Sequence, residues 1–381
     1  MSLVLGKIRN NLKDDPNRFE TPCYVYDVDA VLENYTDLRE RLGTPLLLSL
    51  KANPCVDLLL RIHHLLADGI EVASLGELRR VVGSCGGNVF LNSPAYDPET
   101  IRAAVASKAT LVVDNRSQLA VIGAIAAKSK VRAIILRVNS SVLSRFGVPQ
   151  ARADHFGLQW EDFCAAIHEV RSISLPLSGF HVFRGSYSFS EQRTAYVMAI
   201  DKLIEVFGKE SGALPAVVNV GGGVGERWRE SNIDFKSYRD ALSICSKDVQ
   251  LVHEAGRAVF GSAGYFLTRV QYMKRGGDGW VAVCDGGISH DFLLCNTEGA
   301  LRRYQTPHLL APHDASREPS QEPILVVGPS CSRDDVIAKL PAGSLAPEPD
   351  DIFAFDHCGA YHHSYSVSRF LSLSEAREYV V

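Results

Sequence analysis

Leu46-Leu47-Leu48-Ser49-Leu50-Lys51-Ala52-Asn53-Pro54 is an apolar run that ends in a lysine and is closed by a proline. Such a run predicts a buried parallel strand, because the strands of a parallel sheet are covered on both faces. The proline ends the run, so Lys51 is expected at the carboxyl end of the strand, where barrels and open α/β sheets carry their chemistry. Burial disfavours an ammonium ion, so a lysine in this place can be a free amine that condenses with a carbonyl. The alternative is a lysine that merely extends its amine into solvent.

Apolar runs of this kind alternate with helical segments up to about residue 256. The segments 75–82 and 195–207, for example, space their apolar residues as helices do. Eight strands separated by helices predict an α/β fold, a (β/α)8 TIM barrel rather than a six-stranded open sheet. The predicted strands are 46–50, 70–73, 89–91, 111–113, 133–138, 179–182, 216–220 and 250–253.

Polar residues and glycines stand at the ends of these strands. Because the strand exits of a barrel meet at one mouth, these groups are expected to face one ligand although they lie far apart in sequence. They are Lys51, Glu71, Ser74, Asn92, Asp114, Arg137, Asn139, His181, Gly221, Gly222, Gly223, Glu254 and Arg257.

The composition changes after Gly261, where Pro, Gly and turn-forming pairs become frequent. Short strand-like runs recur at 280–284, 324–327 and 352–355, which predicts a mostly β second domain. The run 23–26 is a further strand candidate, and residues 305–323 are expected to form a surface loop.

Bulk properties exclude several classes of protein. The chain has 381 residues, is 46% hydrophobic and carries a formal charge of −4. This charge argues against a nucleic-acid-binding protein, because such proteins usually have a basic surface. The sequence has no apolar run long enough to span a membrane and no signal-peptide pattern, which favours a cytoplasmic protein. Nine cysteines without a CxxC pair argue against a metal site and against a disulfide framework.

The strand Val217-Val218-Asn219-Val220 runs directly into Gly221-Gly222-Gly223. Three glycines let the backbone approach a ligand closely and direct N–H groups at it, which suits a phosphate. The dinucleotide fingerprint requires a third glycine at the position of Glu226, so that motif fails. A simple tight turn is the alternative.

His253-Glu254-Ala255-Gly256-Arg257 places an acid, a glycine and an arginine at the exit of the last barrel strand. Gly256 and Arg257 can complete a phosphate site, and Glu254 can hold a protonated ring nitrogen because a carboxylate favours the charged form of a base. The alternative is an exposed Glu–Arg pair, which contributes little stability.

Two further barrel residues allow two readings. His181 follows a buried run and is either a core histidine or a ring that stacks on an aromatic cofactor, with Ser186 nearby as a possible phosphate ligand. Arg137 interrupts an apolar strand, and because a buried arginine requires a partner it is either a structural ion pair or a ligand contact.

Three residues of the second domain are also candidates. Cys331 follows Gly328-Pro329-Ser330, a turn that displays the thiol, so it can donate a proton. Asp285 precedes two glycines and can meet a substrate amine, and Tyr361 offers a phenol. Each of these residues alone is also compatible with an ordinary turn or core position.

Together the motifs resemble the fold-type III pyridoxal-phosphate decarboxylases, which include ornithine, diaminopimelate and carboxynorspermidine decarboxylases. The similarity extends from Thr21 to Phe370. The order of the motifs is more specific than any one of them. They are Leu50-Lys51-Ala52-Asn53-Pro54, Ala73-Ser74-Leu75-Gly76-Glu77, Gly179-Phe180-His181, Gly221-Gly222-Gly223, Glu254-Ala255-Gly256-Arg257, Asp285-Gly286-Gly287, Gly328-Pro329-Ser330-Cys331 and Gly359-Ala360-Tyr361.

The resemblance implies a cofactor, pyridoxal 5'-phosphate, and a role for each residue. Lys51 would bind the cofactor covalently, His181 would stack on its ring, and Glu254 would pair with its ring nitrogen. Cys331 would return a proton to the substrate, and Arg137 and Glu77 would support the site. The phosphate would be held by Ser186, Gly221, Gly222, Gly223, Gly256, Arg257 and Tyr361.

The resemblance also implies an assembly. Residues 25–265 would form the cofactor-binding barrel, of the alanine racemase type. Residues 1–24 and 266–381 would form a β-barrel or β-sandwich domain that completes the site of a homodimer. Asp285 and Cys331 would be contributed by the partner subunit.

The chain departs from the family pattern at three places. The family usually has Pro at the position of Ala255, and the segment from His181 to Ser186 is longer here than in ornithine decarboxylase. The residue after the family's cysteine is usually an acid that binds the distal amine of the substrate, and here it is Ser332. Losing a buried carboxylate partner costs an ammonium roughly 2–5 kcal/mol of recognition. Ornithine, lysine and diaminopimelate are therefore disfavoured.

The sequence thus predicts decarboxylation of an L-amino acid with an unusual or conjugated side chain. Citrate-linked diaminopropionate or an acyl-carrier-bound glutamyl group would fit, as intermediates of a siderophore or antibiotic pathway. An amino-acid racemase of the alanine racemase type is one alternative, disfavoured by Cys331 and Glu254. A non-catalytic, cofactor-binding regulatory homologue is another, disfavoured by Lys51 and Cys331.

Overall fold

The computed structural model describes residues 3–82, 88–149, 154–189, 193–245, 248–295, 304–310, 317–366 and 369–381. The chain divides into two compact units. One is Leu32–Ala258, and the other combines Met1–Val31 with Val259–Val381.

The first strand of the chain, β1 (Cys23–Tyr26), belongs to the second unit, and the next eight strands close into a parallel barrel. These eight match the eight predicted strands within two residues at each end, so the predicted barrel is confirmed. They are β2 (Leu46–Ser49), β3 (Ile70–Val72), β4 (Val89–Asn92), β5 (Thr110–Val113), β6 (Ala133–Val138), β7 (Leu177–Val182), β8 (Val217–Asn219) and β9 (Gln250–Ala255).

Pairing of β2 with β9 closes the barrel, with Leu47 opposite Glu254. Successive residues of a strand point to opposite faces, so a residue two positions further on points the same way. An apolar layer fills the barrel interior and is formed by Leu47, Phe90, Val112, Ile135, Val252 and the partly buried Val217. Two positions beyond each of these comes a polar residue that faces the mouth: Ser49, Asn92, Asp114, Arg137, Glu254 and Asn219. The alternation along the strands therefore places this layer of polar side chains at the mouth, directly above the apolar layer.

Helices follow the barrel strands, and several begin with a side-chain cap. Ser74 accepts a hydrogen bond from the Glu77 N–H, and Asp97 accepts one from Thr100 N–H, as expected of N-cap residues. The helices of the chain are α1 (Leu3–Asp14), α2 (Val28–Leu42), α3 (Val56–Ile62), α4 (Leu75–Val81), α5 (Pro98–Ala106), α6 (Ser117–Ala126), α7 (Trp160–Ser172), α8 (Arg193–Ser211), α9 (Phe235–Leu242), α10 (Arg257–Phe260) and α11 (Phe292–Cys295).

The second unit contains a mixed, eight-stranded sheet in which β1 takes part, so the predicted second β unit is confirmed. Its long strand β10 pairs with β1, β11 and β15, and a register shift between Val270 and Tyr272 separates the two parts of the strand. The remaining strands are β10 (Gly264–Arg275), β11 (Trp280–Cys284), β12 (His308–Leu310), β13 (Ile324–Val327), β14 (Val336–Leu340), β15 (Ile352–Phe355) and β16 (Arg377–Val380).

The expectation of a surface loop at 305–323 is wrong at β12. This strand pairs antiparallel with β15, and Leu310 is buried against the core that includes Val25, Leu267 and Ile352. Residues 311–316 lie outside the described residues. The Pro and His residues near β12 are typical of a loop, so the sequence did not predict a strand here. The strand forms because it pairs with β15, which lies more than forty positions further along the chain.

In the part of the chain that the structure describes, no helix combines the length and the apolar character that a membrane span requires.

Candidate active site

Lys51 lies in a single 3-10 turn, Leu50–Ala52, directly after β2. Its ammonium donates to both carboxylate oxygens of Glu71 at 2.9 Å. The Lys51 side chain is 41% exposed, whereas that of Glu71 is 1% exposed. The expectation of a lysine made neutral by burial stays a prediction, and in the structure the Lys51 side chain is partly exposed and pairs with the Glu71 carboxylate.

A buried chain of polar contacts links Glu71 to Arg137. Asn92 Nδ2 donates to Glu71 Oε1 at 3.1 Å, and Arg137 donates to Asn92 Oδ1 at 3.4 Å and to Asp114 Oδ1 at 3.3 Å. The Arg137 guanidinium also lies 4.4 Å from the centre of the Phe156 ring. Arg137 thus has the partner that a buried arginine requires, and its side chain is fixed at the barrel mouth.

His181 and Glu254 lie next to each other in the barrel. His181 Nε2 lies 3.4 Å from Glu254 Oε1, but among the described residues neither ring nitrogen has a hydrogen-bond partner. Burial lowers the pKa of His181 well below its usual range, and the charges of Arg137 and Lys51 lower it further. The ring is therefore neutral, and its contact with Glu254 is not an ion pair.

Glu254 is a buried carboxyl group with one short hydrogen bond. Asn219 Nδ2 donates to its Oε1 at 2.7 Å. Burial raises the pKa of Glu254 to about 7, and the nearby charge of Glu71 contributes to that rise. A carboxyl group in this state is ready to pair with a cation that enters the barrel, such as a protonated ring nitrogen.

The glycine turn after β8 packs on the backbone of β9. A side chain on Gly222 would begin 2.3 Å from the Glu254 carbonyl oxygen, and Gly221 and Gly223 have φ of +69° and +95°. Among the described residues, the N–H groups of Gly222 and Gly223 donate no hydrogen bond. The turn is therefore a backbone surface with free donors, as an anion site requires.

Gly256 brings the end of β9 against the turn that carries Lys51. A Cβ at this position would lie 2.6 Å from that of Ala52 and 3.3 Å from that of Ser49. Any larger residue would displace Lys51 relative to Glu254. The next residue, Arg257, begins α10 and places its guanidinium 5.1 Å from the ring centre of Tyr187.

The segment after His181 places a different serine at the glycine turn from the one expected. Ser186 is exposed, whereas the Ser188 hydroxyl lies 2.7 Å from the position that a Cβ of Gly223 would take. Ser188 also donates to the Gly185 carbonyl at 2.8 Å. In this structure the Ser188 hydroxyl, and not that of Ser186, therefore lies beside the glycine turn.

Glu77 lies on α4, next to the strand exit of β3. Its Oε2 accepts a hydrogen bond from the Ala73 N–H at 2.7 Å. Burial raises the pKa of Glu77, and the charge of Glu71 adds to the rise. It stabilises the start of the helix that follows the Glu71 strand.

In the second unit, Cys331 is exposed on the turn between β13 and β14. The buried Asp335 holds this turn by accepting from the N–H groups of Ile288 and Ser330 at 2.7 and 2.9 Å. Ser332 follows Cys331 and accepts from the Asp334 N–H at 3.2 Å. The Cys331 thiol is thus exposed to solvent, as the sequence predicts.

Asp285 is held by donors of its own unit. Thr21 and Thr268 hydroxyls donate to it at 2.6 and 2.8 Å, and the Arg269 N–H donates at 2.8 Å. Its carboxylate is therefore largely satisfied without a substrate amine. Tyr361 is half-buried and has a φ of +70°, in the left-handed region that non-glycine residues rarely adopt.

Sequence reasoning placed Glu71 at a strand exit but did not identify it as the partner of Lys51, and it missed Phe156 and Ser188. An acid inside the apolar run Ile70-Glu71-Val72 was a usable signal, because a buried carboxylate requires a partner. Phe156 and Ser188 gave no comparable signal, since their roles depend on how two loops fold back on the barrel.

A lysine, a neutral histidine and a buried acid lie at the mouth of a parallel barrel, next to a glycine turn with free N–H groups. These are the groups that a barrel enzyme would need to hold a phosphorylated aromatic cofactor. Comparison with known proteins agrees. Residues 29–261 match the family model described as pyridoxal-dependent decarboxylase, pyridoxal binding domain. The chain belongs to this family and is a pyridoxal phosphate-dependent amino-acid decarboxylase, as predicted.

Two relatives cover almost the whole chain. The L-glutamyl-[BtrI acyl-carrier protein] decarboxylase of Niallia circulans is 26% identical over 93% of this chain and 87% of its own length. The diaminopimelate decarboxylase of Deinococcus radiodurans is 30% identical over 96% of this chain and 91% of its own length.

A solved structure shows the same fold. The arginine decarboxylase of Paramecium bursaria Chlorella virus, bound to agmatine, has a TM-score of 0.81 at 20% identity, covering 99% of this chain and 100% of the virus protein. The roles of individual site residues stay predictions.

Proposed function

We propose that this enzyme decarboxylates a conjugated L-amino acid whose side chain carries no free distal ammonium. The observation that supports this most directly is Ser332, at the position where the family usually has an acid for that ammonium. Asp285, the other carboxylate that the resemblance assigns to the substrate, already accepts three hydrogen bonds within its own unit. Neither position offers an unpaired carboxylate to an ornithine or diaminopimelate amine.

One relative supports a conjugated substrate. The decarboxylase of Niallia circulans acts on an L-glutamyl group attached to an acyl-carrier protein. Citrate-linked diaminopropionate and carrier-bound glutamate are the substrates that we favour, in a siderophore or antibiotic pathway. Both have an amide or thioester where ornithine has an ammonium ion.

The barrel residues create the conditions for the reaction. Pyridoxal phosphate, when bound, supplies the electron sink into which the Cα–carboxylate bond breaks. Lys51 would anchor the cofactor through its amine. Glu254, which accepts a hydrogen bond from Asn219, would stabilise a proton on the ring nitrogen of the cofactor, and the buried side chain of His181 would help to exclude water next to it. Cys331 would return a proton to Cα after carbon dioxide leaves.

Phosphate binding is assigned to the two parts of the chain that have suitable donors. In the barrel these are the free N–H groups of the glycine turn with Gly256, Arg257 and a serine of the segment 186–188. In the second unit it is the phenol of Tyr361. The cofactor-binding domain is proposed to span 25–265, with 1–24 and 266–381 completing the site of a cytoplasmic homodimer.

The substrate proposal can be tested by carbon dioxide release from a panel of free and conjugated amino acids. We expect the conjugates to react and free ornithine, lysine and diaminopimelate to react at least tenfold more slowly, because an unpaired ammonium loses more than about 1.4 kcal/mol of recognition. Ser332→Asp should raise kcat/KM for the free diamino acids and lower it for the conjugates. Ser330→Asp, two positions away in the same turn, is the matched control and should leave this preference unchanged.

Efficient turnover of ornithine or diaminopimelate by the wild-type enzyme would contradict the substrate proposal. Protein that binds the cofactor but releases no carbon dioxide from any member of the panel would instead favour a regulatory homologue.

A further inference from the structure

The second unit contains a buried carboxylate that binds the residue next to Tyr361. Asp291 is fully buried and immediately precedes α11. Its two oxygens lie 2.9 and 2.8 Å from His362 Nδ1, and its Oδ1 also accepts from the Leu294 N–H at 3.1 Å. The buried acid therefore fixes the position of His362.

The chain before Tyr361 is fixed by backbone contacts. The N–H groups of Cys358 and Gly359 donate to the carbonyls of Gly264 and Gly261 at 2.9 and 3.1 Å. A Cβ on Gly359 would lie 2.0 Å from the Phe260 carbonyl oxygen, so this glycine permits the close approach. Tyr361 itself adopts a φ of +70°. A residue in this region persists only where its surroundings impose it.

The chain after Tyr361 is attached to the same turn as Asp291. Ser366 Oγ lies 2.7 Å from the carbonyl oxygens of both His290 and His362, and the Tyr24 hydroxyl donates to the His290 carbonyl at 2.7 Å. Residues on both sides of Tyr361 are thus anchored, and the His362–Asp291 contact involves the residue directly after it.

We propose that Asp291 and His362 are positioning residues that hold the Tyr361 phenol in the orientation in which it binds the cofactor phosphate. This inference rests on the proposed function, which gives Tyr361 that role. The Nδ1–H of His362 donates to a carboxylate that has no access to water, so the direction of the His362 side chain is fixed. The adjacent left-handed residue is fixed with it, because both belong to one short turn.

A metal site is the competing interpretation of the same residues. Asp291, Cys358 and His362 offer ligand atoms within 4.8 Å of one another. A structural zinc site usually has four ligands and needs a thiolate, whereas burial raises the pKa of Cys358 well above its usual range. The Asp291 carboxylate already accepts from His362 and Leu294, so the hydrogen-bonded pair explains the geometry without an ion.

The test is the affinity of the cofactor-free protein for pyridoxal phosphate, followed by absorbance. Asp291→Asn and His362→Ala should weaken binding about 10- to 100-fold, the value of a hydrogen bond to a charged phosphate. His362→Asn keeps an N–H near the position of Nδ1 and should recover most of that loss. Binding of pyridoxal, which has no phosphate, should be unchanged in all three variants.

His363→Ala is the matched control. His363 is the next residue of the same turn, but its Nδ1 lies 3.4 Å from Glu378 and not beside Asp291. We expect this variant to bind pyridoxal phosphate as the wild type does.

The outcomes separate this inference from the proposed function. If Tyr361→Phe leaves the affinity for pyridoxal phosphate unchanged, the phosphate role of Tyr361 fails, and the inference fails with it. If Tyr361→Phe weakens binding but Asp291→Asn and His362→Ala do not, only the inference is overturned. Equal weakening of pyridoxal and pyridoxal phosphate, or a stoichiometric metal ion lost in the Cys358→Ser variant, would also overturn it.

Discussion

Glu254 is the residue at which stability and proposed function conflict most clearly. Burial and the nearby charge of Glu71 raise the pKa of its carboxyl group to about 7 from the usual 4.5. A cation at the barrel mouth would favour the ionised form instead. Burying this carboxyl group therefore costs stability at neutral pH, as is typical of groups kept for function rather than for folding.

This conflict predicts the pH dependence of stability in the cofactor-free protein. Because the folded pKa of Glu254 is raised, the stability from its protonated form is complete below about pH 4.5 and is lost as the pH rises through about 7. Glu254→Gln should remove this loss, so that the variant is more stable than the wild type at pH 8 by about 3 kcal/mol. Denaturant unfolding between pH 4 and pH 8 measures the effect.

The comparison with Glu254→Gln also separates Glu254 from His181. The pKa of His181 is lowered, so its contribution to stability is lost as the pH falls below its usual 6.5, in the opposite direction. Glu161→Gln, at an exposed ion pair with Arg145, is the control and should follow the wild type. Parallel wild-type and Glu254→Gln curves between pH 4.5 and pH 7 would show that Glu254 is not the group responsible.

The barrel strands are the elements that the sequence predicts best. Each is an apolar run bounded by helices, and burial on both faces makes the run continuous. Several polar strand exits could also be predicted, because a step of two residues from the apolar layer reaches the mouth, as it does from Val252 to Glu254. Lys51 and His181 were predicted instead from their places at or near the ends of apolar runs.

Other features depend on contacts between distant segments and could not be predicted. Ser188 rather than Ser186 reaches the glycine turn because the intervening residues fold back on Gly223. The three donors on Asp285 come from β10 and from Thr21, which is more than 260 positions away. The strand β12 exists because β15 offers an edge to pair with. None of these features leaves a periodic pattern in the sequence.

At the scale of the whole molecule, the chain combines a parallel barrel with a unit built from both ends of the chain. The proposed residues divide accordingly. Lys51, His181 and Glu254 belong to the barrel unit, and Cys331, Asp285 and Tyr361 belong to the other. The proposed homodimer would bring Cys331 of one subunit to Lys51 of its partner.

Sharing of sites predicts complementation between two inactive variants. Lys51→Ala and Cys331→Ala each damage both sites of a homodimer. A heterodimer of the two would contain one site with both residues intact, so a fully exchanged equal mixture should regain about a quarter of wild-type activity. Carbon dioxide release from a mixture of differently tagged variants measures this, with the tags verifying that heterodimers have formed. Activity no greater than the sum of the parents would mean that each subunit forms its site alone.

The central claim is that the Lys51 amine binds the pyridoxal phosphate of this enzyme. Borohydride reduction of the reconstituted protein, followed by proteolysis and mass spectrometry, tests it most directly. The account predicts that the cofactor remains attached to the peptide that contains Lys51 and that Lys51→Ala protein retains none. A cofactor fixed to another lysine, or wild-type protein that is reconstituted but carries no label, would contradict the claim.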